Sequence, residues 1–289
     1  LINRAILGLA FALASCTHPI PPPPPSPPKF TVGNAYQAGG EWRYPQIFDN
    51  YSVTGLSTVI PDGHAPHNAD NEAYDPDAIA AASPVLQLPA IVTVTNLVNG
   101  YTMDVLVNDR GPAEAGRVLA VTPRVAKLLA FPADGVVEVQ VVLKQQETAA
   151  LDTNLGQGPK LTAAPVAGIT AQALGAPGGG GVGAVQDLTP AAASGTPAGP
   201  APLPATVTAV APEPGPLYVQ IPGFGHVRDA QRVAQEQLYG FPYVIAPVFG
   251  GDRTLYAINC GPYTSVADAD AALKQILARG VTDPEIIVR

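Results

Sequence analysis

The fold of this chain is decided by Asn96-Leu97-Val98-Asn99-Gly100-Tyr101-Thr102-Met103-Asp104-Val105-Leu106-Val107-Asn108-Asp109-Arg110-Gly111-Pro112. Asn99-Gly100 between two apolar β-rich runs, Ile91 to Leu97 and Tyr101 to Val107, predicts a hairpin closed by a type I′ turn. The second strand ends on a carboxylate, Asp109, held between Asn108 and Arg110 and followed by a Gly-Pro turn. Val53 to Ile60 and Gly135 to Leu143 are two further strands. Between them Thr122 can cap a short helix, with Pro123 at its first position and Val125, Leu128 and Leu129 on its buried side. The pattern is all-β. A small closed barrel with one helix and a sandwich both fit it, and periodicity does not separate them.

Outside this region the chain is poor in core-forming sequence. Its 289 residues include 33 Pro and 29 Gly, and charged residues make up only 13%. Two small domains joined by polymer are expected rather than one large globule. The net charge is −8 with no basic run, which excludes nucleic acid as a partner, because neutralising phosphates takes clustered Lys and Arg. The two Cys, Cys16 and Cys260, sit in no metal-ligand spacing. No cofactor is implied.

Residues 1–15 have the form of a signal peptide: Arg4, then the apolar run Ala5 to Ala14, too short to span a bilayer. Leu13-Ala14-Ser15-Cys16 matches a lipobox, with Cys16 as the lipidated residue, and acyl chains at ~0.8 kcal/mol per buried methylene make such an anchor effectively permanent. Thr17, rather than Asp, after the Cys points to the outer membrane, with the chain facing the periplasm. Residues 16–35 then form a tether whose proline run, Pro19 to Pro28, favours polyproline II at ~3 Å per residue. A proline-ligand role is possible for such a run, but beside a lipidated Cys a spacer is expected.

Residues 148–214, rich in Ala, Gly and Pro, are expected to be a disordered linker with a span of ~45 Å. The last segment, 215–289, has the order β-α-β-β-α-β. Leu217 to Ile221 opens it, and a helix over Val227 to Leu238 buries Ala230, Val233, Ala234 and Leu238. Strands Tyr243 to Phe249 and Thr254 to Cys260 follow. A second helix is capped by Ser265 and stopped at Gly280, and Glu285 to Val288 closes the domain. That order predicts an α+β, ferredoxin-like sheet backed by two helices.

Residues 36–147, with Asn71-Glu72-Ala73-Tyr74-Asp75, the Asn96 hairpin and the corner Asn108 to Pro112, resemble the double-psi β-barrel of the rare lipoprotein A family. Residues 215–289, with Val219-Gln220, Phe224, Leu255-Tyr256 and Gly261-Pro262-Tyr263, resemble a sporulation-related-repeat (SPOR) domain. Many members of that family carry this pairing. The resemblance implies a septal lytic transglycosylase that cleaves peptidoglycan glycan strands lacking stem peptides, bound to the wall by its SPOR domain, with division proteins as further partners.

Lytic cleavage needs an acid at the leaving oxygen and a base at the sugar's own 6-hydroxyl, and one carboxyl can serve both steps in turn. The resemblance assigns Asp109 and Glu72 to catalysis and brings Asn108 and Arg110 to the substrate. Gln220, Tyr256, Asn259 and Tyr263 would meet sugar across the C-terminal sheet. An adjacent Arg110 would lower the pKa of Asp109, which suits a base better than an acid. Three departures stand out. Asn71 replaces the family's Gly, Ser83 replaces a His that follows Ala81-Ala82, and Val59-Ile60 replaces a Trp-Tyr pair. A hydroxyl cannot titrate as imidazole does; His64 and His67 are substitutes in sequence, though a solvated loop is the expectation for such a pair. Ser83 favours a different reading, a non-catalytic peptidoglycan-binding outer-membrane lipoprotein of the septal ring. A glycoside hydrolase is the third reading. Cys260 is expected to be buried and inert.

Overall fold

The computed structural model describes residues 27–155, 202–250 and 253–289. The signal peptide, Cys16, most of the proline tether and residues 156–201 lie outside them.

The first domain opens with a hairpin, β1 (Tyr36–Ala38) and β2 (Glu41–Arg43). Six strands then close a barrel: β3 (Ser52–Val59), β4 (Ala80–Ala82), β5 (Ala90–Asn96), β6 (Tyr101–Asp109), β7 (Arg117–Val121) and, after helix α1 (Pro123–Leu128), β8 (Val137–Leu143). Around the barrel the order is β4-β7-β3-β8-β5-β6, and β6 pairs back with β4 to close it. The β3–β7 and β4–β6 pairs are parallel and the others antiparallel. This is the barrel rather than the sandwich. Inward positions alternate along each strand, so Val92, Val94, Val105, Val107, Val139 and Val141 are all fully buried. Thr122 caps α1, with its Oγ1 accepting from the Val125 amide, as its position before Pro123 predicts.

The Asn99-Gly100 hairpin differs in type. Only Gly100 has a positive φ, of 78°, whereas a type I′ turn needs one at both central residues. The connection is the longer loop Leu97 to Gly100. Asn96 and Asn99 turn their amides to the Leu129 carbonyl at 2.9 and 3.0 Å, and this bonding fixes the loop.

The domain is also longer than expected. Helix α2 (Gln145–Asn154) continues past the boundary at 147, with Thr148 buried and its Oγ1 accepting from the Ile91 amide at 2.9 Å. Its sequence has no apolar stripe to announce it. After the undescribed stretch the chain returns to the barrel: β9 (Thr208–Ala209) pairs with β6 at Tyr101 and Thr102, and Glu213 bonds Leu97. Residues 148–155 and 202–214 therefore belong to the barrel's surface and not to a linker.

The C-terminal domain has the predicted order: β10 (Leu217–Phe224), α3 (Val227–Gln237), β11 (Tyr243–Gly250), β12 (Arg253–Tyr263), α4 (Val266–Ala278) and β13 (Glu285–Val288). Its sheet runs β11-β12-β10-β13, all antiparallel, with both helices packed on one face. Ser265 accepts from the Asp268 amide at 3.1 Å, as a capping-box residue does.

The two domains do not stand apart. Leu56 and Leu97 of the barrel are buried in the apolar cluster of the C-terminal domain. Arg117 makes two hydrogen bonds to Asp270, at 2.7 and 2.8 Å, and Thr54 Oγ1 donates to the Val288 carbonyl. A Cβ at Gly116, where φ is +72°, would lie 2.5 Å from Leu273, so close approach there requires glycine. The expectation of two separate units fails because the residues that join them, two leucines, a threonine, a glycine and an arginine, look ordinary in sequence.

Candidate active site

The loop from Ile60 to Ile79, between β3 and β4, folds back over the end of β6. There it forms one wall of a cleft of about 520 Å³ lined by Asn68, Glu72, Tyr74, Asn108, Asp109 and Arg124. Asp109 is 6% exposed. Its Oδ1 accepts from the Ala69 and Arg110 amides at 2.7 and 2.8 Å, which fixes the carboxylate. Its Oδ2 lies 2.7 Å from His64 Nε2. The His64 ring rests on Tyr74, centroids 4.3 Å apart, and its Nδ1 is 2.9 Å from the Ala65 carbonyl. Both ring nitrogens thus face acceptors. The ring is thereby held between a backbone carbonyl and the Asp109 carboxylate.

Glu72 enters the same cleft. Asn71 before it has φ +81°, the left-handed conformation that a glycine would adopt and that Asn tolerates best among other residues, so this departure keeps the turn. Asn108 Nδ2 donates to Glu72 Oε2 at 3.0 Å. Asn108 is 5% exposed and clamps Glu72 while lining the cleft beside it.

Two assignments change. Arg110 does not pair its guanidinium with Asp109; it binds the carbonyls of Ser83, Leu86 and Val32, tying three backbone segments together behind the cleft. It is a structural clamp, not a substrate contact. Ser83 is fully buried, with its hydroxyl accepting from the Val85 and Leu86 amides, so residue 83 offers nothing to the cleft. The imidazole beside Asp109 comes from His64 instead. His67 bridges to Ala73 through its backbone.

Sequence reading missed Asp70. It is fully buried, its Oδ1 accepts from the Glu72 amide at 3.0 Å, and its Oδ2 has no partner among the described residues. Burial, with the nearby charges of Glu72 and Asp109, pushes its pKa up to about 7. The signal was the Asp-Asn-Glu spacing of an Asx turn. A carboxyl that holds its proton more tightly when folded contributes stability at low pH that is lost as pH rises through about 7. Asp70→Asn keeps the turn and removes that loss. Chemical denaturation at pH 8 should show the variant more stable by on the order of 2 kcal/mol, with little difference at pH 4. Glu41, also raised to about 7, leaves part of the slope in place.

In the C-terminal domain Gln220 donates to Asn259 Oδ1 at 2.7 Å, and Asn259 is 1% exposed. Asn259 is therefore a sheet residue and not a sugar contact. Tyr263 packs against the apolar cluster with its hydroxyl unpartnered among the described residues and its pKa pushed up to about 12 by burial. Gln220 and Tyr256 are half-buried on neighbouring strands. Cys260 is fully buried, which pushes its thiol up to about 11.

Residues 54–141 match the family model described as lytic transglycolase, and residues 213–287 match the SPOR domain. The chain is thus a double-psi barrel of the lytic-transglycolase class joined to a SPOR domain. Proteins named endolytic peptidoglycan transglycosylase RlpA share this span. The Escherichia coli relative is 27% identical over 91% of this chain and 87% of its own length, and the Pseudomonas aeruginosa relative is 27% identical over 88% and 76%. The Rickettsia bellii relative is 29% identical over 41% of this chain, and the chain spans about half, 54%, of that relative. Across both domains the chain is similar to proteins of that name.

Proposed function

We propose that this chain is an endolytic peptidoglycan lytic transglycosylase that acts on glycan strands lacking stem peptides. The carrying observation is that Asp109, with His64 Nε2 at 2.7 Å from its Oδ2, lines the cleft that Glu72 also enters. The pair's proton passes to the glycosidic oxygen as the bond from C1 breaks. The sugar's 6-hydroxyl then bonds to C1 and returns its proton to the pair, leaving an anhydro end and an unchanged enzyme. Glu72, held by Asn108, supplies negative charge to the positive sugar ring that develops in between. The buried Ser83 removes the main support for a purely binding role, because His64 supplies the missing titratable ring.

The wider reading adds a lipid on Cys16, residence at the outer membrane, and recruitment to the septum by residues 215–289. It is supported by Leu13-Ala14-Ser15-Cys16 and by the SPOR match. One set of assays tests it. Mass spectrometry of products from amidase-treated glycans should find anhydro ends; reducing ends would indicate a hydrolase, and no fragments a binding protein. In cells, the protein should move from the membrane to the soluble fraction on Cys16→Ala and should collect at division sites.

A further inference from the structure

A second pocket, of about 360 Å³, lies where the β1–β2 hairpin, the barrel and the tip of the C-terminal domain meet, beside Gly116 and Arg117 of the junction. At its mouth stand Trp42 and Tyr44, 53% and 57% exposed. Large rings left this open in adjacent positions forgo burial worth ~2 kcal/mol each, and paired exposed aromatics mark binding surfaces. Inside lie Arg43, Gln46 and Glu285 with the rings of Phe48 and Tyr51.

Beneath the hairpin Glu41 and Arg43 form an ion pair. Arg43 lines the pocket, and its buried Nε has no hydrogen-bond partner among the described residues; Glu41, 4% exposed, backs it from outside the lining. Buried polar atoms of this kind are normally satisfied. Aromatic faces beside unsatisfied polar groups suit a sugar, whose C–H faces stack on rings while its hydroxyl and acetamido groups bond to charged side chains. Asp283 and Glu285 outweigh Arg43, since Asp270 already engages Arg117, so the pocket favours an uncharged ligand over an anion.

We infer that the Trp42–Tyr44 pocket is a second saccharide subsite, taking an uncharged N-acetylglucosamine unit of the strand whose cleavage is proposed above. This rests on the glycan-cleaving reading. The two sites share a wall: the Ser83 amide bonds the Asp109 carbonyl at 3.0 Å, and the next two residues, Pro84 and Val85, line the second pocket.

Trp42 is the chain's single Trp, so its emission reports this pocket alone. The full chain carrying Asp109→Asn, which prevents turnover, is titrated with the hexamer of N-acetylglucosamine. Emission should shift to the blue and saturate, and Tyr44→Ala should weaken the midpoint about tenfold, equivalent to about 1.4 kcal/mol. Co-pelleting with peptide-free glycans is measured on the same proteins. Silent emission in a protein that still pellets overturns the subsite and spares the wider reading. A midpoint unchanged by Tyr44→Ala also overturns it. Loss of both signals overturns subsite and reading together.

Discussion

Asp109→Asn should leave the barrel folded and lower the yield of anhydro-ended products by ~10²–10⁴-fold, the usual cost of losing a positioned proton-transfer group. Asparagine keeps an oxygen for the Ala69 and Arg110 amides, so the corner persists. It removes the carboxylate oxygen that stands 2.7 Å from His64 Nε2. Thermal unfolding close to that of the wild type, with products lost, is the expected pair of results. Full activity in the variant would remove Asp109 from the chemistry. Glu72→Gln retains the Asn108 contact and should do comparable harm if Glu72 stabilises charge, with KM little changed.

His64→Gln should cost ~10²-fold in kcat, because the amide keeps one donor toward Asp109 but cannot carry a proton. The double variant His64→Gln with Asp109→Asn separates a joint role from two independent ones. A rate no lower than that of Asp109→Asn alone is expected if the pair acts as one unit, whereas multiplied losses would make His64 an independent contributor. Ser83→His should restore nothing. The fully buried serine leaves no room for an imidazole, and overpacking of this sort costs ~1–3 kcal/mol of stability.

Much of the fold was legible because the signals were local. Alternating valines marked the barrel strands, Thr122-Pro123 the short helix, and Ser265 with Gly280 the ends of the last helix. Asp109 and Glu72 were legible as a pair, and they do enter one cleft. What sequence did not reveal depended on partners distant along the chain. Arg110 next to Asp109 suggested an ion pair, yet its guanidinium finds three carbonyls from other segments. His64 sat in a loop that looked solvated, and only the fold-back over β6 brings it to Asp109. Helix α2 lacked an apolar stripe because Thr148, bonding the Ile91 amide, helps to dock it. The junction between domains was invisible for the same reason: Leu56 alternates as a barrel residue should, but its burial comes from the neighbouring domain.

The return of residues 202–214 to the barrel has a consequence for the architecture. The chain departs from the barrel at Leu155 and rejoins it at Pro202, so the Ala-, Gly- and Pro-rich stretch begins and ends on the same body. Halving its length should leave the C-terminal domain seated against Arg117 as before. The barrel and the C-terminal domain then tumble as one body, locked through Arg117 and Asp270.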